Sequence, residues 1–299
     1  MTDGSQVAID NRGSVDVEDA LVMYSSTADN PLILNESGTF HVDSNGLLAL
    51  DVEGASGGAL AYLQTGGVTQ VDGTLLMQDQ SGDPEYMVMT GGTLEGQGGI
   101  VGNVINWGGT VELSQDQFPL TIAGDYQQFP AGVMELVLSG APDIDDHPEL
   151  VVDTAELDGT LDLELPVDFD MTGYDPNNPW IYAFLECGDA CSGEFSGLDW
   201  TGPDGYYWEV LYGDNSVEAE LLQYAAGVGS SLVDPQTELD ELQAQGGGTP
   251  PPLTLPNGPS LTINGGEFAL SPEPATWTVA AAGLGALGIW LRRKKAGGR

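Results

Sequence analysis

The sequence almost lacks cationic side chains. Six of its 299 residues are Lys or Arg, against 46 Asp or Glu. Five of those six lie in the last eight residues, so residues 1–291 carry 46 acids against one base, Arg12, a formal charge of −45. Binding to nucleic acid requires Lys and Arg side chains that replace the counterions of the phosphates, so the body is not a nucleic-acid-binding domain. A P-loop nucleotide site is disfavoured, because no Lys precedes Lys294.

Cysteine and histidine are also scarce, with only Cys187, Cys191, His41 and His147 present. In an exported protein the two closely spaced cysteines favour a small disulfide loop, with free thiols as the alternative. Their acidic neighbours argue against a redox-active pair, because lowering a thiol pKa requires positive charge nearby. A zinc site is disfavoured because no third and fourth ligands lie near them in the sequence. We expect no metal ion and no cofactor.

Catalysis is poorly supported for the same reason. Lyases of acidic glycans need cationic side chains to neutralise the substrate carboxylates, and Arg12 alone cannot assemble such a site. A glycoside hydrolase needs only two carboxylates a few ångströms apart, and 46 acids leave that alternative open. We predict no catalytic residues, and keep a glycoside hydrolase as an alternative.

The body contains enough apolar sequence to fold, with a hydrophobic fraction of 41%, six Trp and ten Tyr. A unit of one turn and one short strand recurs five times, at Ser37–Phe40, Asp72–Leu75, Gly91–Leu94, Gly108–Val111 and Asp158–Leu161. Its Gly-to-Gly steps are 35, 19, 17 and 50 residues, close to multiples of 17–19. Repetition at a short period is typical of a solenoid. We predict an all-β body, a right-handed parallel β-helix or solenoid.

Within the units the polarity alternates with period two, most clearly over 161–169, where apolar residues alternate with polar residues or proline. The stretch from Gly91 to Val111 resembles the β-helix repeats of autotransporter passenger domains, with a Gly-Thr-Leu strand, a Gly-rich corner and a Gly-Asn-Val strand. We place the solenoid over residues 37–224 and expect preceding coils in 1–36. A β-sandwich with Gly-rich turns is the alternative.

After Tyr224 the composition changes to that of a tether. Residues 225–271 contain Gly246–Gly248 and Thr249–Pro252, which predict an extended linker rich in Pro and Gly. Asp234 followed by Pro235 predicts the start of a short helix within it. Upstream, the dense acidic run Asp143–Glu149 is interpreted as a solvated loop, with a calcium site as the alternative.

The last 28 residues, 272–299, combine three features. Pro272, Glu273 and Pro274 precede an uncharged run of 17 residues from Ala275 to Leu291, near the minimum length of a membrane-spanning helix. Trp277 and Trp290 lie near the two ends of this run, where indoles favour the membrane interface. The basic flank follows at once, which predicts a cytoplasmic side by the positive-inside rule; it consists of Arg292, Arg293, Lys294 and Lys295.

This arrangement resembles the PEP-CTERM sorting signal of exported proteins in Gram-negative bacteria, which has a Pro-Glu-Pro motif, one apolar helix and a terminal basic cluster. The resemblance implies an exosortase as processing partner, a membrane-anchored precursor, and a mature protein at the cell surface or in the extracellular matrix. It covers about a tenth of the chain. Because residues 1–10 show no apolar signal-peptide stretch, we expect that the true N-terminus lies upstream.

These patterns together predict a non-catalytic exported protein of the surface or the exopolysaccharide matrix, with envelope polysaccharide as a candidate partner. The alternative is an adhesin or carbohydrate-binding module that uses the aromatic residues Tyr206, Tyr207 and Trp208.

Overall fold

All regular structure in the described part of the chain is β-strand. The computed structural model describes residues 7–25, 31–52, 59–79, 82–114, 119–139, 141 and 150–224, and the backbone of 253–254 and 260–261. The expected helix after Asp234, the acidic run 143–149 and the whole segment 272–299 lie outside the described residues. The all-β prediction is therefore confirmed for the body.

Strands follow one another in groups of three, each group making one coil. The first four coils are β1 (Ile9–Asn11), β2 (Ser14–Val17) and β3 (Ala20–Ser25); β4 (Ile33–Asn35), β5 (Thr39–Val42) and β6 (Leu47–Val52); β7 (Leu60–Gln64), β8 (Val68–Val71) and β9 (Thr74–Met77); β10 (Tyr86–Met89), β11 (Thr93–Glu95) and β12 (Gly99–Val101). The remaining parallel strands are β13 (Asn103–Asn106), β14 (Thr110–Ser114), β15 (Leu120–Gln128), β16 (Val133–Val137), β17 (Leu150–Leu157), β18 (Thr160–Glu164), β19 (Trp180–Gly193) and β20 (Gly197–Thr201).

Each strand pairs in parallel with the equivalent strand of the neighbouring coils, which gives three faces. Face one contains β1, β4, β7, β10, β13 and the second halves of β15, β17 and β19. Face two is the eight-stranded sheet β2-β5-β8-β11-β14-β16-β18-β20. Face three contains β3, β6, β9, β12 and the first halves of the same three long strands. This topology is that of a solenoid-like body and does not fit a β-sandwich, whose two sheets are antiparallel.

The coils differ in length, so the regular period expected from the sequence is not observed. Paired positions on face one are 17 residues apart at Met87 and Val104, and 36 apart at Ala155 and Cys191. Four of the five Gly-Thr units begin strands of face two, whereas the unit at Asp72 begins β9 on face three. The motif therefore marks a type of corner and not a constant repeat length.

The corner between faces one and two explains the glycine of this motif. Seven glycines stack there, and the carbonyl of each accepts a backbone hydrogen bond from the next coil; they are Gly13, Gly38, Gly67, Gly92, Gly109, Gly132 and Gly159. Gly92 has a φ of +77°, and a Cβ atom there would lie 2.5 Å from the Gly67 carbonyl oxygen. Both the backbone conformation and the close stacking therefore exclude a side chain at Gly92.

Inside the same corner lies a column of buried amides, which we call the amide ladder: Asn11, Asn35, Gln64, Asn106 and Gln128, each at most 3% exposed. Their positions are in register from coil to coil, with Met89 the one apolar member between Gln64 and Asn106. The amide nitrogens donate to backbone carbonyls of the following coil, as Gln64 does to Thr93 at 2.9 Å and Gln128 to Asp158 at 2.8 Å. The ladder thus joins successive coils through side chains as well as strands.

Apart from Thr69 and Glu85, the rest of the interior is apolar, because residues alternate between the inside and outside of each strand. On face two the inward row includes Phe40, Leu94, Val111, Met134 and Leu161, all fully buried. On face one the equivalent row contains Ile33, Tyr62, Met87, Val104 and Tyr126, also fully buried. One continuous hydrophobic core therefore runs along the body.

The C-terminal end of the body departs from the parallel pattern. Two antiparallel strands, β21 (Tyr206–Tyr212) and β22 (Ser216–Gln223), pair with each other, and β22 pairs with the first part of β19. A separate two-stranded pair, β23 (Leu253–Thr254) and β24 (Ser260–Leu261), lies in the predicted linker.

Candidate functional site

The predicted sorting residues lie outside the described residues: the motif Pro272–Pro274, the ends of the apolar run, and the basic flank Arg292–Lys295. In the part of the chain that the structure describes, no helix is long and apolar enough to span a membrane. The membrane helix and its processing therefore stay predictions.

Cys187 and Cys191 are joined by a disulfide bond in the structure. The bridge spans the bend in β19 between face three and face one, since Cys187 pairs with Val152 and Cys191 pairs with Ala155. Cys187 is 3% exposed and belongs to the apolar core. This arrangement assigns the pair a structural role at the last bent corner of the body.

The three aromatic residues proposed for glycan contact do not form one surface, which corrects that part of the alternative. Trp208 is 5% exposed and packs on Tyr182 with ring centroids 5.6 Å apart. Tyr206 contacts Tyr174 at 5.0 Å in an edge-to-face arrangement. Tyr207 pairs instead with Tyr224, at 4.8 Å. The reason is the strand period: 206 and 208 share one side of β21 and 207 lies on the other.

Face two carries a row of acidic residues on its outer side, which we call the acidic row: Glu95, Glu112, Glu135, Asp162 and Asp199. Neighbours in a parallel sheet lie about 4.8 Å apart, so their charges repel. Partial burial and the charges of Glu112, Glu164 and Asp162 raise the pKa of Glu135. Partial burial and the charges of Glu164 and Asp199 likewise raise the pKa of Asp162. Nonetheless, the described residues contain no group of three or more His, Cys, Asp or Glu placed to hold a metal ion.

His41 continues this row toward the N-terminal coils. Its Nε2 atom lies 3.1 Å from Asp72 Oδ2, and its Nδ1 atom lies 3.6 Å from Asp16 Oδ1. His41 is in register with Gln70 of the next coil, whose amide also donates to Asp72 at 2.8 Å. The ring therefore lies between two carboxylates on the outer side of face two.

Glu85 is a carboxyl group inside the body. It is fully buried just before β10, and its Oε1 atom accepts a hydrogen bond from the Val52 amide at 2.6 Å. Its Oε2 atom has no hydrogen-bond partner. Burial raises the pKa of Glu85 to about 8; the bond from Val52 opposes this, and the charges of Asp51 and Asp79 add to it. The group is therefore mainly neutral at pH 7.

The outer side of face one has a groove of about 260 Å³ that crosses coils four to eight. Its polar lining comes from outward positions of β13, β15, β17 and β19: Asn103, Asp125, Gln127, Thr154, Glu156 and Ser192. We call this feature the face-one groove. Tyr86 and Ile105 supply apolar surface at one end.

Hydrogen bonds between coils fix the polar side chains of the groove. Thr154 Oγ1 donates to Asp125 Oδ1 at 2.6 Å, and Gln127 Nε2 donates to Glu156 Oε2 at 2.7 Å. The Asn103 side-chain oxygen accepts from the Asp125 backbone amide at 2.9 Å. These three contacts link the outward rows of three consecutive coils, so the groove is pre-organised.

An aromatic pair lies beside the groove. Trp107 and Phe129 directly follow β13 and β15. They pack against the apolar cluster that contains Tyr86 and Ile105, the two residues at the apolar end of the groove. Their ring centroids are 4.2 Å apart with an interplanar angle of 43°. Both are partly exposed.

Sequence reasoning missed this groove. The residues that line it are ordinary polar members of alternating strands, and their meeting depends on a bulge: Ile122 pairs with Val152, but Asp125 pairs with Thr154. Two residues of β15, Ala123 and Gly124, therefore lie opposite one residue of β17, Asp153. The sequence contains one signal for it: an aromatic residue directly follows an amide residue at two corners, in Asn106-Trp107 and in Gln128-Phe129.

No protein-family model and no curated protein matches this chain.

Proposed function

We propose that this chain is a non-catalytic exported protein of the cell surface or the exopolysaccharide matrix, sorted by an exosortase through residues 272–299. The observation that carries the proposal is the order of three elements: Pro272–Pro274, the uncharged run Ala275–Leu291, and the basic flank Arg292–Lys295. By the positive-inside rule, this order supports an acidic body that lies outside the inner membrane.

Two features of the body support this proposal. The disulfide between Cys187 and Cys191 suits an oxidising compartment, where such bonds form and persist. The body is an extended stack of parallel coils, an architecture that offers long repetitive surfaces. Neither feature requires a catalytic centre, so we propose a structural or adhesive role, with glycan hydrolysis as the hypothesis to exclude.

Mass spectrometry of the C-terminal peptide, from envelope and culture-fluid fractions of the native producer, tests the sorting proposal. We expect the mature protein to end near Pro272–Pro274, without the apolar run. A chain that is intact through Arg299 in both fractions contradicts exosortase processing and leaves a single-pass membrane protein.

A matched pair of variants sharpens the result. Replacing Glu273 with Ala changes the motif, whereas replacing Glu267 with Ala removes the same charge six residues earlier. We expect accumulation of the unprocessed precursor for the first variant and normal processing for the second. Equal processing of both variants would show that the motif is not read.

A further inference from the structure

The face-one groove combines the two kinds of contact that a sugar chain offers. A pyranose ring has an apolar C–H face and an edge of hydroxyl groups that both donate and accept hydrogen bonds. The groove has hydrogen-bonding carboxylate, amide and hydroxyl groups along its floor, and the Trp107–Phe129 pair beside it. Binding sites typically join apolar and aromatic surface to a few well-placed polar groups that fix orientation.

The direction of the groove also suits a linear polymer. Its polar lining repeats on successive coils, with Asn103, Asp125 and Thr154 in one row and Gln127 and Glu156 in the next. Strands of neighbouring coils lie about 4.8 Å apart, close to the length of one sugar residue. A chain laid across the strands therefore meets an equivalent polar group at nearly every unit.

Charge restricts the class of glycan. Asp125 and Glu156 line the groove. The neighbouring Asp153 also experiences this negative charge, because burial and the charges of Asp189 and Asp125 raise its pKa. No Lys or Arg lies between Arg12 and Arg292, so a uronic-acid polymer would bring uncompensated negative charge to this surface. Like-charge contacts of this kind oppose binding. Hydroxyl groups of a neutral glycan, by contrast, can donate to both carboxylates.

We infer that the face-one groove is a binding site for a neutral polysaccharide, with Asp125, Gln127 and Glu156 as hydrogen-bonding groups and Trp107 as a stacking surface. The inference deepens the proposed matrix association, and it moves the glycan-contact surface from β21 to face one. It does not depend on C-terminal processing, since the groove lies entirely in the body.

The experiment uses the full chain in detergent and an array of neutral glucans, mannans and galactans, with alginate as the anionic glycan. We expect at least one neutral glycan to bind and alginate not to bind. Failure of every neutral glycan to bind overturns the inference. Binding of alginate with equal affinity overturns the charge argument and with it the assigned ligand class.

Charge-matched variants localise the binding. We expect Glu156→Gln to weaken binding of the neutral glycan about tenfold, and Glu135→Gln on face two to leave it unchanged. Trp107→Ala should weaken binding at least tenfold; if this variant does not fold, Gln127→Ala provides the second test. Equal losses in Glu156→Gln and Glu135→Gln would show that binding is not at the groove.

Two further readouts separate this inference from the proposed function. Release of reducing ends that is lost in Glu156→Gln would show hydrolysis at the groove and contradict a purely binding role. Correct C-terminal processing without glycan binding removes the groove inference alone. Glycan binding by the purified chain, combined with a native protein that is intact through Arg299 in both the envelope and the culture fluid, removes the sorting proposal alone.

Discussion

The amide ladder inside the body and the acidic row outside it are both columns of polar side chains that repeat from coil to coil, yet their energetics differ. An amide both donates and accepts, so Asn11 can donate to Asn35 at 3.0 Å while Asn35 donates onward to Val68. An ionised carboxylate only accepts. Stacked carboxylates therefore repel, which adds to the effect of partial burial in raising the pKa of Glu135 next to Glu112 and of Asp162 next to Asp199.

The difference shows how a parallel stack sorts polar residues. In-register pairing places equivalent positions of successive coils about 4.8 Å apart. Among polar side chains, one that both donates and accepts suits such a column best where water is absent, since a buried unpaired polar group is costly. Acidic residues are tolerated on the outside because water screens them.

Placing a carboxylate in the amide ladder should give the largest loss of stability among the variants that test this comparison. Gln128→Glu keeps the side-chain shape but loses the donor to the Asp158 and Thr160 carbonyls. We expect a loss of about 4 kcal/mol in the free energy of unfolding at pH 7, with partial recovery near pH 4 as the carboxyl becomes protonated. Urea unfolding followed by circular dichroism measures both values.

The matched control is Gln127→Glu, the adjacent residue with its side chain on the outer side of the same strand. Its cost should stay below about 1 kcal/mol, because solvent screens the new charge near Glu156. Equal costs for the two variants would contradict the contrast between inside and outside.

Glu85 provides the natural case of an acid inside the body, and its effect should come second in size. Its pKa is about 8 in the folded protein against an ordinary value of 4.5. Both states bind the proton below pH 4.5, so the group has no effect there. As the pH rises from 4.5 to 8 only the unfolded chain loses its proton, and stability falls.

The wild-type protein should therefore lose on the order of 3 kcal/mol of unfolding free energy between pH 5 and pH 9, and we expect Glu85→Gln to abolish this loss. The measurement is the urea midpoint as a function of pH for the two proteins. A wild-type body that is equally stable at pH 5 and pH 9 would contradict the burial of a neutral carboxyl.

The smallest effect belongs to the acidic row. Glu135→Gln removes one repelling charge from the centre of the acidic row. Because the pKa of Glu135 is raised in the folded protein, its ionisation above the ordinary pKa of Glu lowers the free energy of unfolding. We expect stabilisation of about 0.5 kcal/mol at pH 7, after allowance for solvent screening; it should vanish below pH 4 and decrease in high salt. Thermal unfolding at two salt concentrations checks this. An effect that is independent of salt would point to packing in place of charge.

Much of the fold could be predicted because its signals are local. The alternation over 161–165 and the Gly-Thr corners follow directly from strand geometry and from the stacking of glycine on glycine. Coil length could not be predicted, because lengthening a connection such as the one between β18 and β19 costs little loop-closure entropy. Such a connection also has no periodic sequence pattern.

The candidate site was harder to predict from the sequence than the fold. Its polar residues meet only after the bulge between Ile122 and Asp125 sets the pairing of β15 with β17. Register of this kind is a long-range property, whereas the exposure of Trp208 was misjudged for a local reason: three consecutive aromatic residues on a strand cannot share one side. Likewise, nothing in the sequence distinguishes Glu85 from the many exposed acids.

The long strands β15, β17 and β19 have a consequence for how the body would yield under force. Each one bends from face three to face one without a loop, so hydrogen bonds continue around that corner. Earlier coils have separate strands on these two faces. Under tension applied along the chain, we expect the N-terminal coils to unravel in small steps. The last three coils are held by continuous strands and by the Cys187–Cys191 bond, so we expect them to unfold together at higher force.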